Sequence, residues 1–242
     1  MPTPTLAGQT VVLIGGSAGI GLETGRLARA GGADVILTGR DQDKLDQAAR
    51  EVGAQHTAAF DATDAAAIAS FFAGLSGRID HVLVTAGGPR YGSLLETDPA
   101  EVGLGVSDHI VQALEVARAA AGKMRPGGTL LFMGGTGGRR IARGLGAVSA
   151  GTAALPPFVA SLALELAPVR VNLIAAGFVD TPLSARLLGD GLEARREELR
   201  RTLPIGRVVG PEDVAALAVH IMTNTALTGA TYDIDGGQQF VQ

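Results

Sequence analysis

The chain has no cysteine and no tryptophan, only two tyrosines, and two lysines, Lys44 and Lys123, among its 20 basic residues. Without cysteine there is no disulfide framework, no Cys-ligated zinc or iron–sulfur site and no thiol catalysis. No metal is expected. A net charge of −4 argues against non-specific nucleic-acid binding, which needs a basic face to meet phosphates. No stretch long enough to span a bilayer is free of charge, so no membrane segment is expected. The most apolar region, Ala153 to Leu166, is broken by Pro156, Pro157 and Glu165. Met1 to Gln9 lacks a basic segment followed by an apolar run, so no secretory leader is expected, and a soluble cytoplasmic protein is the default.

What is present is glycine, 35 residues of it, and a hydrophobic fraction of 46% in a chain of 242 residues. That is ample for a core, and the length suits one large α/β domain. Short apolar runs at Thr10–Ile14, Asp34–Thr38, Gln55–Phe60, Asp80–Thr85, Thr129–Met133, Arg170–Ile174 and Ala230–Ile234 read as strands. Between them, Leu22–Ala30, Asp41–Glu51, Asp64–Leu75 and Glu101–Met124 read as helices; in the last, Val106, Ile110, Leu114 and Ala117 keep helical spacing. Continuous apolar strands alternating with helices predict a seven-stranded parallel sheet covered on both faces, in a doubly wound fold. Pro182 to Pro204 is the longest irregular candidate and reads as a substrate-lid insert at the C-terminal edge of the sheet.

The first strand is followed by Gly15, Gly19 and Gly21, and then by a helix. Such a turn lets backbone N–H groups approach a pyrophosphate, with the positive helix N-terminus behind them. The other reading is a plain tight turn; the strand–turn–helix context favours dinucleotide binding. At the end of the second strand an acid would hold a ribose 2′-hydroxyl, whereas arginine accommodates a 2′-phosphate. The sequence there is Thr38-Gly39-Arg40. A guanidinium forks onto phosphate and Gly39 leaves room, so NADP(H) is expected over NAD(H). Otherwise Arg40 is one of eighteen arginines on a solvated turn.

Six segments occur in order: Gly15 to Gly21 (GGSAGIG), Asp61 in FDATD, Thr85-Ala86-Gly87, Gly177-Phe178-Val179-Asp180-Thr181, Pro211-Glu212-Asp213-Val214-Ala215 and Asp235-Gly236-Gly237. Together they resemble the short-chain dehydrogenase/reductase family, from about Leu6 to Phe240. The resemblance implies a single Rossmann-type domain, usually dimeric or tetrameric, acting as an NADP(H)-dependent oxidoreductase. It implies Gly15, Gly19 and Gly21 at the pyrophosphate, with Ser17 and Ile20 also among the cofactor-binding residues. Arg40 falls at the 2′-phosphate, and Asp61 and Ala62 at the adenine. Ala86 and Gly87 fall on the ribose side, and Phe178, Val179 and Thr181 beside the nicotinamide amide.

The family's proton relay uses a Tyr hydroxyl, a Lys four residues on that lowers its pKa, a Ser that orients the carbonyl, and an Asn. A phenol near pKa 10 is a poor base at neutral pH unless a cation stabilises phenolate. Here the matching positions are Val148, Thr152, Gly135 and His109. The remaining candidates are weak: Tyr91 reads first as a pocket-mouth aromatic, His109 as a bridging helix residue, and Ser149 as a ligand hydrogen-bonder. Arg139, Arg140 and Arg143 read equally as an anion site or as a solvated cluster. Pro156 and Pro157 should kink the helix that would carry Tyr and Lys, or make it restart near Pro156. Ala175-Ala176-Gly177 stands where the family has Ala-Pro-Gly, which removes a rigidifying proline. Two functions fit: an oxidoreductase with an unusual proton source, acting on a carbonyl, an alcohol or a quinone-like acceptor; or a catalytically silent NADP(H)-binding sensor, regulator or partner subunit.

Overall fold

The computed structural model describes residues 5–241. The strands are β1 (Thr10–Ile14), β2 (Asp34–Gly39), β3 (His56–Ala59), β4 (Ile79–Val84), β5 (Met124–Gly135), β6 (Arg170–Ala176) and β7 (Thr231–Ile234). The helices are α1 (Gly19–Ala30), α2 (Gln42–Val52), α3 (Ala65–Gly74), α4 (Pro99–Ala121), α5 (Gly146–Glu165), α6 (Pro182–Leu188), α7 (Leu192–Thr202) and α8 (Pro211–Thr223). All pairings are parallel, in one seven-stranded sheet of order β3-β2-β1-β4-β5-β6-β7.

Apolar runs make these strands because alternate residues serve opposite faces. Val12 and Ile14 of β1, Val82 and Val84 of β4, and Leu130 and Phe132 of β5 join one core with α3, α4 and α5. Val11, Leu13, Leu83 and Leu131 point the other way, into a second core with α1, α2 and α8. A one-residue slip in any of these strands would exchange the two faces. Strand order reverses between β1 and β4. The chain leaves those strands toward opposite faces, which opens a crevice at their carboxyl ends.

Three local expectations are corrected. The helix read to Met124 ends at Ala121, and Met124 already pairs with Ile79 as the first residue of β5; Gly122 closes the helix, and Pro126 to Gly128 loosen the ladder into an irregular register. Residues 182–204 are mostly helical: α6, a short 3-10 turn over Gly189–Gly191, and α7. Thr181 and Ser184 form a reciprocal capping box there, with proline in the first turn, which is a strong helix start. Finally, α5 runs unbroken through Pro156 and Pro157 instead of restarting. Each proline forfeits a backbone bond, yet Leu155, Val159, Leu162 and Ala163 are buried on the sheet and hold the helix line.

Helix α5 is also, among the described residues, the one helix long and apolar enough to cross a membrane, with a mean hydropathy of 1.5. Its inner face is packed on the sheet and α4, and 33% of the span is buried.

His81 of β4 is buried. Its Nε2–H donates to Gln9 Oε1 at 2.7 Å, and its Nδ1 has no partner among the described residues. Burial, and secondarily the Arg170 charge, depress its pKa to about 3. The unfolded chain therefore binds one more proton than the native state between about pH 6.5 and pH 3. This contribution is complete above the unfolded pKa and is lost as pH falls, by about 1.4 kcal/mol per unit. Urea unfolding at pH 7 and pH 5 is expected to show a loss of roughly 2 kcal/mol from this group. His81→Gln should remove most of that pH dependence; an unchanged slope would refute the assignment.

Candidate functional site

The crevice extends as a cavity of about 630 Å³ along the carboxyl ends of β4, β5 and β6, with Ile20 of α1 at its edge. Beside it, the turn after β1 is built of glycine where no Cβ fits. Gly15 has φ +97°, and a Cβ there would lie 2.7 Å from the Ala86 backbone nitrogen. A Cβ on Gly21 would lie 2.3 Å from the Gly15 carbonyl oxygen. The Thr85 hydroxyl, which donates to that oxygen at 3.1 Å, would be as crowded. The Ala86 N–H donates to Ile14 O at 3.0 Å, so the turns after β1 and β4 are stitched together. Thr85-Ala86-Gly87 is thus a close-packing device as well as a wall of the crevice.

Helix α1 begins at Gly19 with no side-chain cap and no acid in its first turn. Its first N–H groups and positive dipole end are therefore left to an anion. Ser17 reaches the end of β2: its Oγ would lie 3.0 Å from a Cβ on Gly39. Exposed Arg40 follows, near enough to Asp61 to help lower its pKa, after the larger effect of the Thr63 N–H and hydroxyl bonded to that carboxylate. The Ala62 carbonyl accepts from Gln112 Nε2 of α4 at 3.0 Å. The fit of a dinucleotide is therefore good: a turn whose Gly15 and Gly21 leave no room for a Cβ, an uncapped helix N-terminus, a guanidinium just after β2 on one side, and the crevice along β4 to β6 on the other.

On the other side Phe178, Val179 and Thr181 line the crevice, as do Ile20, Ala86 and Gly87. The Asp235-Gly236-Gly237 turn has a legible purpose. The Asp235 carboxylate accepts from the N–H groups of Gly237 and Gln239, at 2.8 and 2.9 Å. This presents Gln238, whose Oε1 accepts from the Phe178 N–H at 2.7 Å. The missing proline at Ala176 is made good by the ladder, since Ala176 pairs with both Gly135 and Ile234.

Val148 and Thr152 line the crevice with Gly151 and Leu155, one stripe of α5, and Gly135 faces Thr152. The Thr152 hydroxyl donates back to Val148 O at 2.8 Å, so its hydrogen is used inside the helix. Ser149 lies off this stripe and does not line the crevice; it is buried, and its Oγ has no partner among the described residues. That corrects its reading as a residue able to hydrogen-bond a ligand, because one step along a helix turns a side chain about 100° away. His109 and Tyr91 do line the crevice. Burial lowers the pKa of His109, against a weaker opposing pull from Asp108, so the imidazole is neutral at pH 7. Partial burial raises the pKa of Tyr91, keeping it a protonated phenol.

Of the arginine cluster, Arg139 pairs with Asp233 of β7, whereas Arg140 and Arg143 line the crevice. Sequence reasoning did not find Gln112 or Gln238. The sign of Gln112 is a polar residue inside the apolar stripe of α4; Gln238 has no local sign. Leu183, Leu187 and Leu188 of α6 also line the crevice, and the Arg196 guanidinium of α7 grips Asp180 with two bonds of 2.9 and 2.8 Å.

A parallel seven-stranded sheet with a glycine-rich turn at its switch point defines a Rossmann-type, doubly wound scaffold. The family described as enoyl-(acyl carrier protein) reductase matches residues 15–239. An uncharacterised oxidoreductase of Mycobacterium tuberculosis is 32% identical, over 96% of this chain and 92% of its own length. The galactitol 2-dehydrogenase (L-tagatose-forming) of Cereibacter sphaeroides is also 32% identical, over 96% of this chain and 95% of its own. Among solved structures, BdcA in complex with NADPH is similar at 28% identity and a TM-score of 0.84, covering 96% of this chain and 94% of that one. The chain belongs to the short-chain dehydrogenase/reductase family.

Proposed function

We propose that this protein is an NADP(H)-dependent oxidoreductase, preferring NADP(H) to NAD(H), that works without the Tyr–Lys proton relay. The observation that carries it is the glycine cradle, where Gly15 and Gly21 leave no room for a Cβ beside an uncapped helix N-terminus. When bound, the nicotinamide supplies the hydride. The chain's part is to hold, orient and exclude water. Gly15, Ser17, Gly19, Ile20 and Gly21 receive the pyrophosphate, Arg40 the 2′-phosphate, and Asp61 and Ala62 the adenine. Ala86, Gly87, Phe178, Val179 and Thr181 frame the nicotinamide end. Helices α6 and α7, residues 182–204, form the substrate lid.

The acceptor is a carbonyl or a quinone-like compound, run in reverse for an alcohol. A quinone suits the site best, because it needs little acid help as it accepts a hydride. Neutral His109 and protonated Tyr91 serve as hydrogen-bond donors to the substrate oxygen, and the proton comes from water. We place the protein in the cytoplasm, acting on a small molecule, with no nucleic-acid or membrane partner. We also propose a homodimer or homotetramer, supported by Leu104, Val111 and Leu114 exposed along α4 and Leu164, 82% exposed, on α5.

One observation favours a second reading, a silent NADP(H)-binding sensor, regulator or partner subunit: Val148 carries no proton, and the Thr152 hydroxyl is committed to its own helix. NADPH turnover against carbonyls and quinones, with binding measured in parallel, separates the two readings; binding without turnover supports the sensor.

Arg40→Asp is expected to weaken NADPH roughly 10-fold or more relative to NADH, from loss of a charged phosphate contact and repulsion by the new carboxylate. Fluorescence titration of both cofactors reads this ratio, and an unchanged ratio removes Arg40 from the site. The triple variant Val148→Tyr, Thr152→Lys and Gly135→Ser has room at its third position, where, outside the substituted position 152, a Cβ meets nothing closer than Ala176 O at 3.5 Å. It is expected to raise carbonyl reduction by about 100-fold, the scale of positioned acid catalysis. No gain in a correctly folded variant would locate the deficit elsewhere.

A further inference from the structure

We infer that the substrate end of the crevice is an anion subsite, formed by Arg140 and Arg143, for an amphiphile with a carboxylate or phosphate head and an apolar body. The inference rests on the crevice being the substrate pocket of the oxidoreductase proposed for this chain. Three observations carry it.

First, the charge of the lining is of one sign. Arg140, Arg143 and Arg195 line the crevice, and no aspartate or glutamate does. Among the described residues only Arg195 of these three is paired, to Glu198 at 2.6 Å.

Second, the neighbouring arginines are committed elsewhere. Arg90 holds Asp108 and Glu101, Arg139 holds Asp233, and Arg196 holds Asp180 and Glu193. Among the described residues Arg140 and Arg143 have no acidic partner, although Arg140 is half-buried. A half-buried guanidinium without a counter-charge carries a desolvation cost that a bound anion offsets. Arginine suits the task because its planar fork meets carboxylate or phosphate through two parallel hydrogen bonds.

Third, the segment is held in place and the wall next to it is mainly apolar. The Gly144 carbonyl accepts from the Gly92 N–H at 3.0 Å, which ties the arginine loop to the segment bearing Tyr91. Beyond the arginines the wall is Leu145, Val148, Leu183, Leu187 and Leu188. A molecule polar throughout would leave these side chains wet; a wholly apolar one would leave the guanidinium charge unmatched.

The test uses octanoate, octyl phosphate and methyl octanoate as probes, with calorimetric titration of the NADPH-loaded protein. The two anions are expected to bind at least about 10-fold more tightly than the ester, an ordinary yield for a charge-assisted pair. The stronger of the two anions identifies the head group. Arg140→Gln with Arg143→Gln should erase the preference for anions while leaving NADPH affinity within about twofold, under half a kcal/mol. Should the double variant misfold, Arg143→Gln alone, at an exposed position, must still reduce the preference. Equal binding of acid and ester, no binding of any probe, or a preference that survives the arginine changes overturns the inference. Failure of NADPH to bind would instead count against the proposed function, and the acid–ester comparison on the unloaded protein would still read the arginines.

Discussion

Gly21→Ala is expected to reduce NADPH affinity by about 100-fold or more, close to 2.7 kcal/mol. The added methyl would sit 2.3 Å from the Gly15 carbonyl oxygen and 2.8 Å from Thr85 Oγ1. Neither neighbour is a flexible side-chain end. The Gly15 carbonyl belongs to the turn itself, and the Thr85 hydroxyl holds that carbonyl from β4. Relief requires the turn and the start of α1 to separate, and that displaces the N–H groups meant for the pyrophosphate. Fluorescence titration checks the affinity and circular dichroism checks the fold. Gly74→Ala in α3 is the control: a Cβ there meets nothing within 4 Å, and alanine is the better helix former, so binding should not change. Undiminished NADPH binding by folded Gly21→Ala would remove the cofactor from this turn.

Arg170→Met is expected to destabilise the fold by about 4 kcal/mol or more, placing it among the severe single substitutions. Arg170 is buried at the start of β6 and is held mainly by carbonyls rather than by a carboxylate. Its Nε donates to Gly127 O at 3.1 Å, and Nη1 to Ile221, Asn224 and Leu227 oxygens at 2.9, 3.1 and 3.0 Å. Nη2 donates to Met222 O at 2.8 Å and to the Thr129 hydroxyl. Several of these oxygens belong to the end of α8 and the turn beyond it, where a helix has no further N–H to offer. The guanidinium thus closes the helix terminus against the sheet. Methionine fills much of the volume but leaves those acceptors without donors, each at a cost of about 1–3 kcal/mol. Urea unfolding of the variant at pH 7 measures the loss; a change under about 1 kcal/mol would mean that the carbonyls find other donors.

Much of the candidate site was legible locally. The run from Thr10 to Gly21 specifies strand, turn and helix through β-branched residues followed by glycines. Asp64 marks the start of α3, where its side chain accepts from the N–H groups of Ala66 and Ala67. What escaped depended on distant partners. Gln238 was silent because its bond to Phe178 spans 60 residues. Residues 182–204 looked irregular because their leucines turn toward a crevice made by other segments. Pro156 and Pro157 suggested a break, since local propensity counts lost hydrogen bonds and not the burial of Leu155 and Val159.

The sequence by itself determined the two-faced parallel sheet, the glycine turn, the arginine at the end of β2, and the absence of Tyr and Lys at positions 148 and 152. All of these are properties of local pattern or of residue identity, which folding cannot alter. Only the tertiary structure decided which of the three arginines at 139, 140 and 143 face the crevice, that Thr152 spends its hydroxyl on its own helix, and that Ser149 lies outside the pocket. Those outcomes depend on helix phase and on pairings between segments far apart in the chain, where a turn of about 100° per residue separates a ligand contact from a buried one.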